Sequence, residues 1–237
     1  MSLVDIIYCD NHLLVLDKPG GLLTQPSGTA EDSLESRGKQ WLKGEFNKPG
    51  AVFLEAVHRI DRAATGIVLF ARTSKALSRL NASMRAGECD KTYLALVEGT
   101  PPVAAGRLED WLVHGDHAAA VVPAGIAGAK LAVLDYEVVA AGPGGVLLRI
   151  RLGSGRYHQI RVQLARAGMP IVGDGRYGAR RRPADAGIAL QHCRLRLPHP
   201  VSREIMDFKV KRELDAGVSW PGVAVPTRPV QARQHKE

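Results

Sequence analysis

Two apolar runs, Leu131 to Val139 and Val146 to Leu152, meet at Gly142-Pro143-Gly144-Gly145. A glycine-rich turn between two runs of aliphatic and β-branched residues reads as a hairpin. The same pattern recurs along the chain. Val4 to Tyr8 and His12 to Leu16 break at Asp10-Asn11, and Lys18-Pro19-Gly20-Gly21 is a turn. Val52 to Val57 and Ile67 to Phe70 read as buried strands, with 58–66 as the loop between them. Thr92 to Val97, Ile188 to Leu197 and Ile205 to Val210 are further strands. Strands outnumber helices and many are joined by short turns. The expected fold class is α+β, with a mixed, largely antiparallel central sheet and flanking helices.

Three segments read as helices. Glu31 to Phe46 is one, despite Gly38 and Gly44. Ser74 to Arg85 is another, with Ser74 as its cap, Leu77, Leu80 and Met84 on one face, and Gly87 beyond its end. Residues 158–167 form a short third, with Ile160, Leu164 and Ala167 inward and Gly168 at the end. From Ala216 onward the chain carries Pro221, Pro226 and Pro229 and shows no periodicity. We therefore expect one domain over 1–215 and an extended or disordered basic tail over 216–237.

Composition narrows the class. The 237 residues, 45% hydrophobic, are enough for a sizeable core. No apolar run reaches the roughly 18 residues of a transmembrane helix. The start, Met1-Ser2-Leu3-Val4-Asp5, lacks the basic-then-apolar pattern of a secretory signal, so a cytoplasmic location is expected. Cys9, Cys89 and Cys193 are scattered, which suits reduced structural thiols. His114 and His117 flank Gly115-Asp116, which reads as a turn with no cysteine close by, so no metal site is expected.

Charge is distributed unevenly. The formal net charge is +8, and between Val146 and Arg182 nine arginines accompany a single acid, Asp174. None of the nine is replaced by lysine. Arginine suits bidentate phosphate contacts and stacking on bases, so this segment favours a polyanionic partner over a merely solvated face.

The segment His58-Arg59-Ile60-Asp61-Arg62 places an acid between two arginines in a loop between apolar strands. Neighbouring positive charge favours an ionised carboxylate, which suits a nucleophile or base. A structural ion-pair cluster at a strand end fits the spacing equally well. The kinase motif His-Arg-Asp does not apply, because Ile60 intervenes and no Gly-rich loop precedes it.

Four segments of the chain carry a resemblance to a known family. His58-Arg59-Ile60-Asp61-Arg62 with Thr65-Gly66 resembles the signature of the RluA family of RNA pseudouridine synthases. Asp17-Lys18-Pro19-Gly20-Gly21-Leu22 resembles that family's early Lys-Pro-x-Gly turn, and Lys91-Thr92-Tyr93 its Lys-x-Tyr strand. Gly155-Arg156-Tyr157-His158-Gln159-Ile160-Arg161, followed by Pro170 to Asp174 and Tyr177-Gly178, resembles its Gly-Arg-x-His-Gln-Ile/Leu-Arg block. The likeness spans residues 5 to 212.

The resemblance implies a cofactor-independent isomerase that converts uridine to pseudouridine in structured ribosomal or transfer RNA. It implies that Asp61 attacks the ribose or removes a ribose proton, that Tyr93 packs on the target base and helps to remove its C5 proton, and that Arg161 pairs with the aspartate. It also implies that Arg59 fills the space left by the extruded nucleotide. Arg62, His58, Arg156, His158 and Gln159 are the further candidate substrate contacts, the two histidines chiefly as structural hydrogen-bonders. The turn Gly173-Asp174-Gly175 is expected to shape the chain after the short helix. Thr65 and Tyr157 depart from residues common in the family. The likeness begins so close to Met1 that a stand-alone catalytic domain, without an S4-type RNA-binding domain, is expected. A monomer without an obligate protein partner is the expected state. The competing readings are a non-catalytic RNA-binding or ribosome-associated module on the same scaffold and, less well supported, a nucleoside hydrolase.

Overall fold

A computed structural model describes residues 4–28, 31–142, 144–181 and 187–215. In chain order the elements are β1 (Asp5–Cys9), β2 (Leu13–Lys18), α1 (Leu34–Glu45), β3 (Glu55–Ala56), β4 (Thr65–Ala71), α2 (Ser74–Arg85), β5 (Asp90–Val97) and β6 (Ala105–His114). There follow β7 (Ala119–Val122), β8 (Lys130–Gly142), β9 (Gly145–Leu152), α3 (Gln159–Arg166), a 3-10 turn (Gly175–Tyr177), β10 (Leu190–Pro198) and β11 (Ile205–Lys209). The expected class, α+β with a mixed and largely antiparallel sheet, is what the chain forms. The expected tail, 216–237, lies outside the described residues.

The elements fall into two compact units. The first comprises the described residues of 1–94 and 183–214, and the second those of 95–182 together with Asp215. β5 contributes its first residues to one and its last to the other.

In the first unit β1, β2, β4 and β10 lie side by side, with β3 on β4 and β11 on β10. The pairings β1/β2, β2/β4, β3/β4 and β10/β11 are antiparallel, and β4/β10 is parallel. Leu13 to Leu16 and Ile67 to Ala71 have no exposed surface. These continuous apolar runs are the centre of the core, each large side chain contributing roughly 1.5–3 kcal/mol by leaving water. A Cβ on Gly38 would lie 2.8 Å from Leu54 Cδ2 and 3.4 Å from Leu16 Cδ1. The glycine that weakens α1 as an isolated helix is where the helix meets the strands most closely.

Three local expectations are corrected. α1 begins at Leu34, not Glu31, because Ser33 is its cap, its Oγ accepting from Ser36 N–H at 3.1 Å. α2 is capped by Thr73 rather than Ser74, with Oγ1 accepting from Ala76 N–H at 3.1 Å. The strand expected over 52–57 pairs only at Glu55 and Ala56, since Leu54 turns inward against Gly38.

In the second unit β9, β8, β6 and β7 lie side by side in that order, each pair antiparallel. The hairpin read at 131–152 is present as β8 and β9, with a register shift between Val138 and Ala140. β6 and β7 were not anticipated, because β6 mixes charges with apolar residues and only Leu112 of it is buried. α3 packs on these strands through Val162, against Leu112, Ala119 and Ala132. Ala167, expected inward, is exposed, since it follows the last turn of α3.

Candidate active site

The loop that carries Asp61 leaves β3 and returns at β4. Its backbone is held from several directions. Thr24 Oγ1 donates to the Ile60 carbonyl at 3.0 Å. Gly21 N–H donates to the Arg62 carbonyl at 2.8 Å, and Ile188 N–H to that of Ala63 at 3.0 Å. Lys18 has no exposed surface, and its Nζ donates to the carbonyls of Leu22 at 2.7 Å, Pro19 at 2.9 Å and Arg62 at 3.0 Å. One buried ammonium thus ties the early Lys-Pro-Gly-Gly turn to the aspartate loop. Burial pulls the Lys18 pKa down to about 8, against the nearby charge of Asp61 and with that of Arg62.

Inside this frame the Asp61 side chain is half-buried and Arg59 is exposed. Arg62 serves the frame itself: Nε donates to the Gly21 carbonyl at 2.9 Å, and Nη1 pairs with Glu31 at 2.9 Å.

Behind the loop lies an aromatic stack that sequence reasoning did not find. Tyr93, buried on β5, lies face to face with His192 of β10, ring centroids 4.5 Å apart and planes 17° off parallel. His58 meets His192 edge-on at 5.3 Å and accepts from Leu69 N–H through Nε2 at 3.2 Å. His192 Nδ1 lies 2.7 Å from the Ile67 carbonyl, which can only accept, so Nδ1 carries the proton. Burial brings the His192 pKa to about 4, its backbone hydrogen bonds partly offsetting the drop and Lys91 adding to it. Burial likewise holds His58 far below its ordinary value. Burial, with the charges of Asp61 and Cys193, pushes the Tyr93 phenol up, so Tyr93 stays protonated at neutral pH.

Gly66 makes this arrangement possible. It sits at φ +106, and a Cβ there would fall 2.4 Å from the His192 carbonyl oxygen. The register Gly66↔His192 in the β4/β10 pair requires a residue with no side chain.

In the second unit four more candidates cluster at the start of α3. Gln159 is committed to structure: Oε1 accepts from Ser154 Oγ at 2.8 Å and Arg156 N–H at 3.0 Å, and Nε2 donates to the Val133 carbonyl at 3.0 Å. Arg156 is exposed, with Nε donating to the Leu131 carbonyl at 3.2 Å. Arg161 is buried and forms a two-pronged pair with Asp174, Nε to Oδ2 at 2.6 Å and Nη2 to Oδ1 at 2.8 Å. Its Nη1 lies 2.8 Å from His158 Nε2, and its guanidinium sits 5.0 Å from the Tyr177 ring centroid.

The protons in this cluster follow from chemistry. A guanidinium only donates, so His158 Nε2 accepts and Nδ1 carries the hydrogen. That hydrogen points to Tyr177 Oη at 2.8 Å, which also accepts from Ala119 N–H at 2.9 Å. His158 holds this pose at φ +52, an uncommon backbone for a residue with a side chain. Asp174, read from sequence as part of a turn, is the buried carboxylate that fixes Arg161. Its standing as the lone acid among nine arginines was the available signal.

The arginine-rich stretch is less uniformly free than its composition implies. Arg149 pairs with Glu137 at 2.9 Å, and Arg166 lies 3.8 Å from Asp110. These partners come from β6 and β8, so linear counting misses them. Arg182 lies outside the described residues.

A family model described as RNA pseudouridylate synthase matches residues 12–166. The chain is 35% identical over 184 residues to ribosomal large subunit pseudouridine synthase D of Pseudomonas aeruginosa, covering 76% of this chain and 55% of that protein. It is 34% identical over 232 residues to ribosomal large subunit pseudouridine synthase C of Escherichia coli, covering 92% and 69%. It is 33% identical over 220 residues to the dual-specificity RNA pseudouridine synthase RluA of Haemophilus influenzae, covering 89% and 94%. The chain thus spans little more than half of the first relative and nearly all of the last. The solved structure of human RNA pseudouridylate synthase domain containing 4 is alike in fold, with a TM-score of 0.73 at 21% identity over 87% of this chain and 88% of that one.

Sequence and fold together place the chain in a known protein family. It belongs to the RNA pseudouridylate synthase family, in the RluA branch. Among the described residues, no helix is long and apolar enough to cross a membrane.

Proposed function

We propose that this chain isomerises specific uridines of structured RNA to pseudouridine, with Asp61 as the reacting group. The observation that carries the reading is the half-buried Asp61 on a loop clamped by buried Lys18, with Tyr93 close enough to feel its charge. A stacked uracil hides its glycosidic bond, so the target nucleotide must be flipped out, at a cost of a few kcal/mol. Exposed Arg59 fills the gap in the stack, as a guanidinium plane can.

Two chemical routes use the Asp61 carboxylate. In one it attacks C1′ and displaces uracil through N1. In the other it removes the C2′ proton and uracil leaves the sugar. Either way the base turns and bonds to C1′ through C5, the Asp61 ester breaking in the first route and C2′ regaining its proton in the second, while C5 loses its proton and N1 gains one. The product is an isomer of the substrate, so no oxidant, reductant or hydrolytic water is consumed. Tyr93 supplies a flat face and a neutral hydroxyl. Its raised pKa favours packing and hydrogen bonding over a role as base. Arg161 has the role the family resemblance gives it, with Asp174 and His158 holding its guanidinium.

The relatives' names point to large-subunit ribosomal RNA as the first substrate to try, with transfer RNA second. The test is direct. Ribosomal RNA from a strain lacking the gene is incubated with the protein and mapped by carbodiimide labelling and primer extension. New pseudouridine is expected with the wild-type chain and none with Asp61→Asn, which should fold normally. Full activity in Asp61→Asn would overturn the reading, and free uracil as product would replace it with a hydrolase.

A further inference from the structure

At one end of the second unit, an aromatic step reaches from the buried Arg161 cluster to solvent. His158 stacks on Tyr157, centroids 3.9 Å apart and planes 17° off parallel, and Tyr157 in turn meets His114 at 4.1 Å with a 47° tilt. Tyr157 is 38% exposed, and His114, at the end of β6, is exposed as well. Nothing in the core demands this. Tyr157 lies between the two imidazoles, one over each face, so the open ring of the step is that of exposed His114.

Two exposed arginines flank the step. Arg156 Nε is fixed by the Leu131 carbonyl, and Arg176 Nη1 donates to the His117 carbonyl. Each guanidinium has five N–H donors, so one backbone bond orients it and leaves donors for a further acceptor. The one acid in the adjoining turn is Asp116. Flat rings with oriented guanidiniums beside them match an unpaired nucleotide, its base on the rings and its phosphate on an arginine.

We infer that exposed His114, backed by Tyr157, is a stacking site for an unpaired nucleobase of the RNA, distinct from the uridine that reacts, with Arg156 and Arg176 taking the adjacent phosphates. The inference rests on the proposed RNA substrate and adds a second point of base contact. A duplex keeps its bases stacked on one another, so the site selects single-stranded segments. His158 links this site to the Arg161 guanidinium through one ring, since its two nitrogens meet Tyr177 and Arg161.

The experiment uses the full chain and two probes, a labelled oligouridine of about ten nucleotides and an RNA duplex of equal length. His114→Ala, on an exposed strand end, should weaken oligouridine binding by about five- to a hundred-fold, the effect of removing one base–aromatic stack. His114→Phe should restore it, and duplex binding should hold. Tyr157→Ala, which removes the ring that backs His114, should weaken the oligouridine in the same sense. Arg156→Ala or Arg176→Ala should instead reduce the salt dependence by about 0.7 in slope for each phosphate no longer neutralised. Oligouridine carrying 5-iodouridine should photocrosslink to the peptide holding Tyr157 or His114. Wild-type affinity in both ring variants, equal weakening toward the duplex, or crosslinks mapping only elsewhere would each overturn the site. A protein that binds and crosslinks as described but makes no pseudouridine would instead overturn the enzymatic reading alone.

Discussion

Tyr93 lies face to face on His192, 4.5 Å between centroids, with the imidazole pinned by the Ile67 carbonyl at 2.7 Å. The tyrosine proposed to receive the base is therefore backed by a ring that cannot rotate. Replacing His192 by Phe preserves the flat backing and leaves the Ile67 carbonyl without its donor. We expect a loss of about 1–3 kcal/mol in stability, read by denaturant unfolding, with activity kept. His192→Ala removes the backing as well and should lower kcat in addition.

The same histidine sets an acid limit. His192 titrates near 4 in the folded chain against an ordinary 6.5. Between those values the unfolded chain holds the extra proton, so stability falls as pH drops from 6.5 to 4. The full effect is roughly 3 kcal/mol. Unfolding free energies measured across that window should fall steeply for the wild type and less steeply for His192→Phe. Identical slopes would show that His192 is not held neutral.

Lys18 is the knot between two loops. Lys18→Met removes an ammonium that serves three carbonyls in a site closed to water. We expect a lower Tm, a fall in stability of about 2–4 kcal/mol, and a lower kcat as Asp61 loses its fixed loop. Unchanged kcat with lowered Tm would confine Lys18 to stability.

The Arg161–Asp174 pair is buried on both sides, with side chains 7% and 1% exposed. Asp174→Ala strands a buried guanidinium and should cost about 3–5 kcal/mol. The double variant Arg161→Met with Asp174→Leu should cost less than Asp174→Ala alone, a comparison made by urea unfolding, while remaining inactive.

Gly66→Ala should be among the most damaging single changes. Its Cβ would collide with backbone, His192 O at 2.4 Å and His192 N at 2.7 Å, at a positive φ. Backbone cannot swing aside as a side chain can. We expect insoluble protein or a Tm lowered by many degrees, measured against Gly87→Ala, whose Cβ would meet nothing within 4 Å.

Much of the molecule was readable from local pattern. The β8/β9 hairpin, the buried strands β2 and β4 and the helix α2 announce themselves through apolar runs and turn residues, because those signals lie within a few positions of one another. The Asp61 loop was readable for the same reason. β6 and β7 were not, since a strand with charges on its open face carries little periodic signal. Nor were the partners of Arg149 and Arg166, which arrive from other strands.

The sequence by itself determined the family, the α+β class and the candidate acid, since each rests on residues adjacent in the chain. Only the tertiary structure decided that Lys18 clamps Arg62, that His192 backs Tyr93 and that Asp174 holds Arg161. The first two pairings join residues 44 and 99 positions apart, and the third turns a loop acid into a buried counter-charge. Strand pairing and burial create them. Register and desolvation belong to the folded chain as a whole, so no local pattern records them.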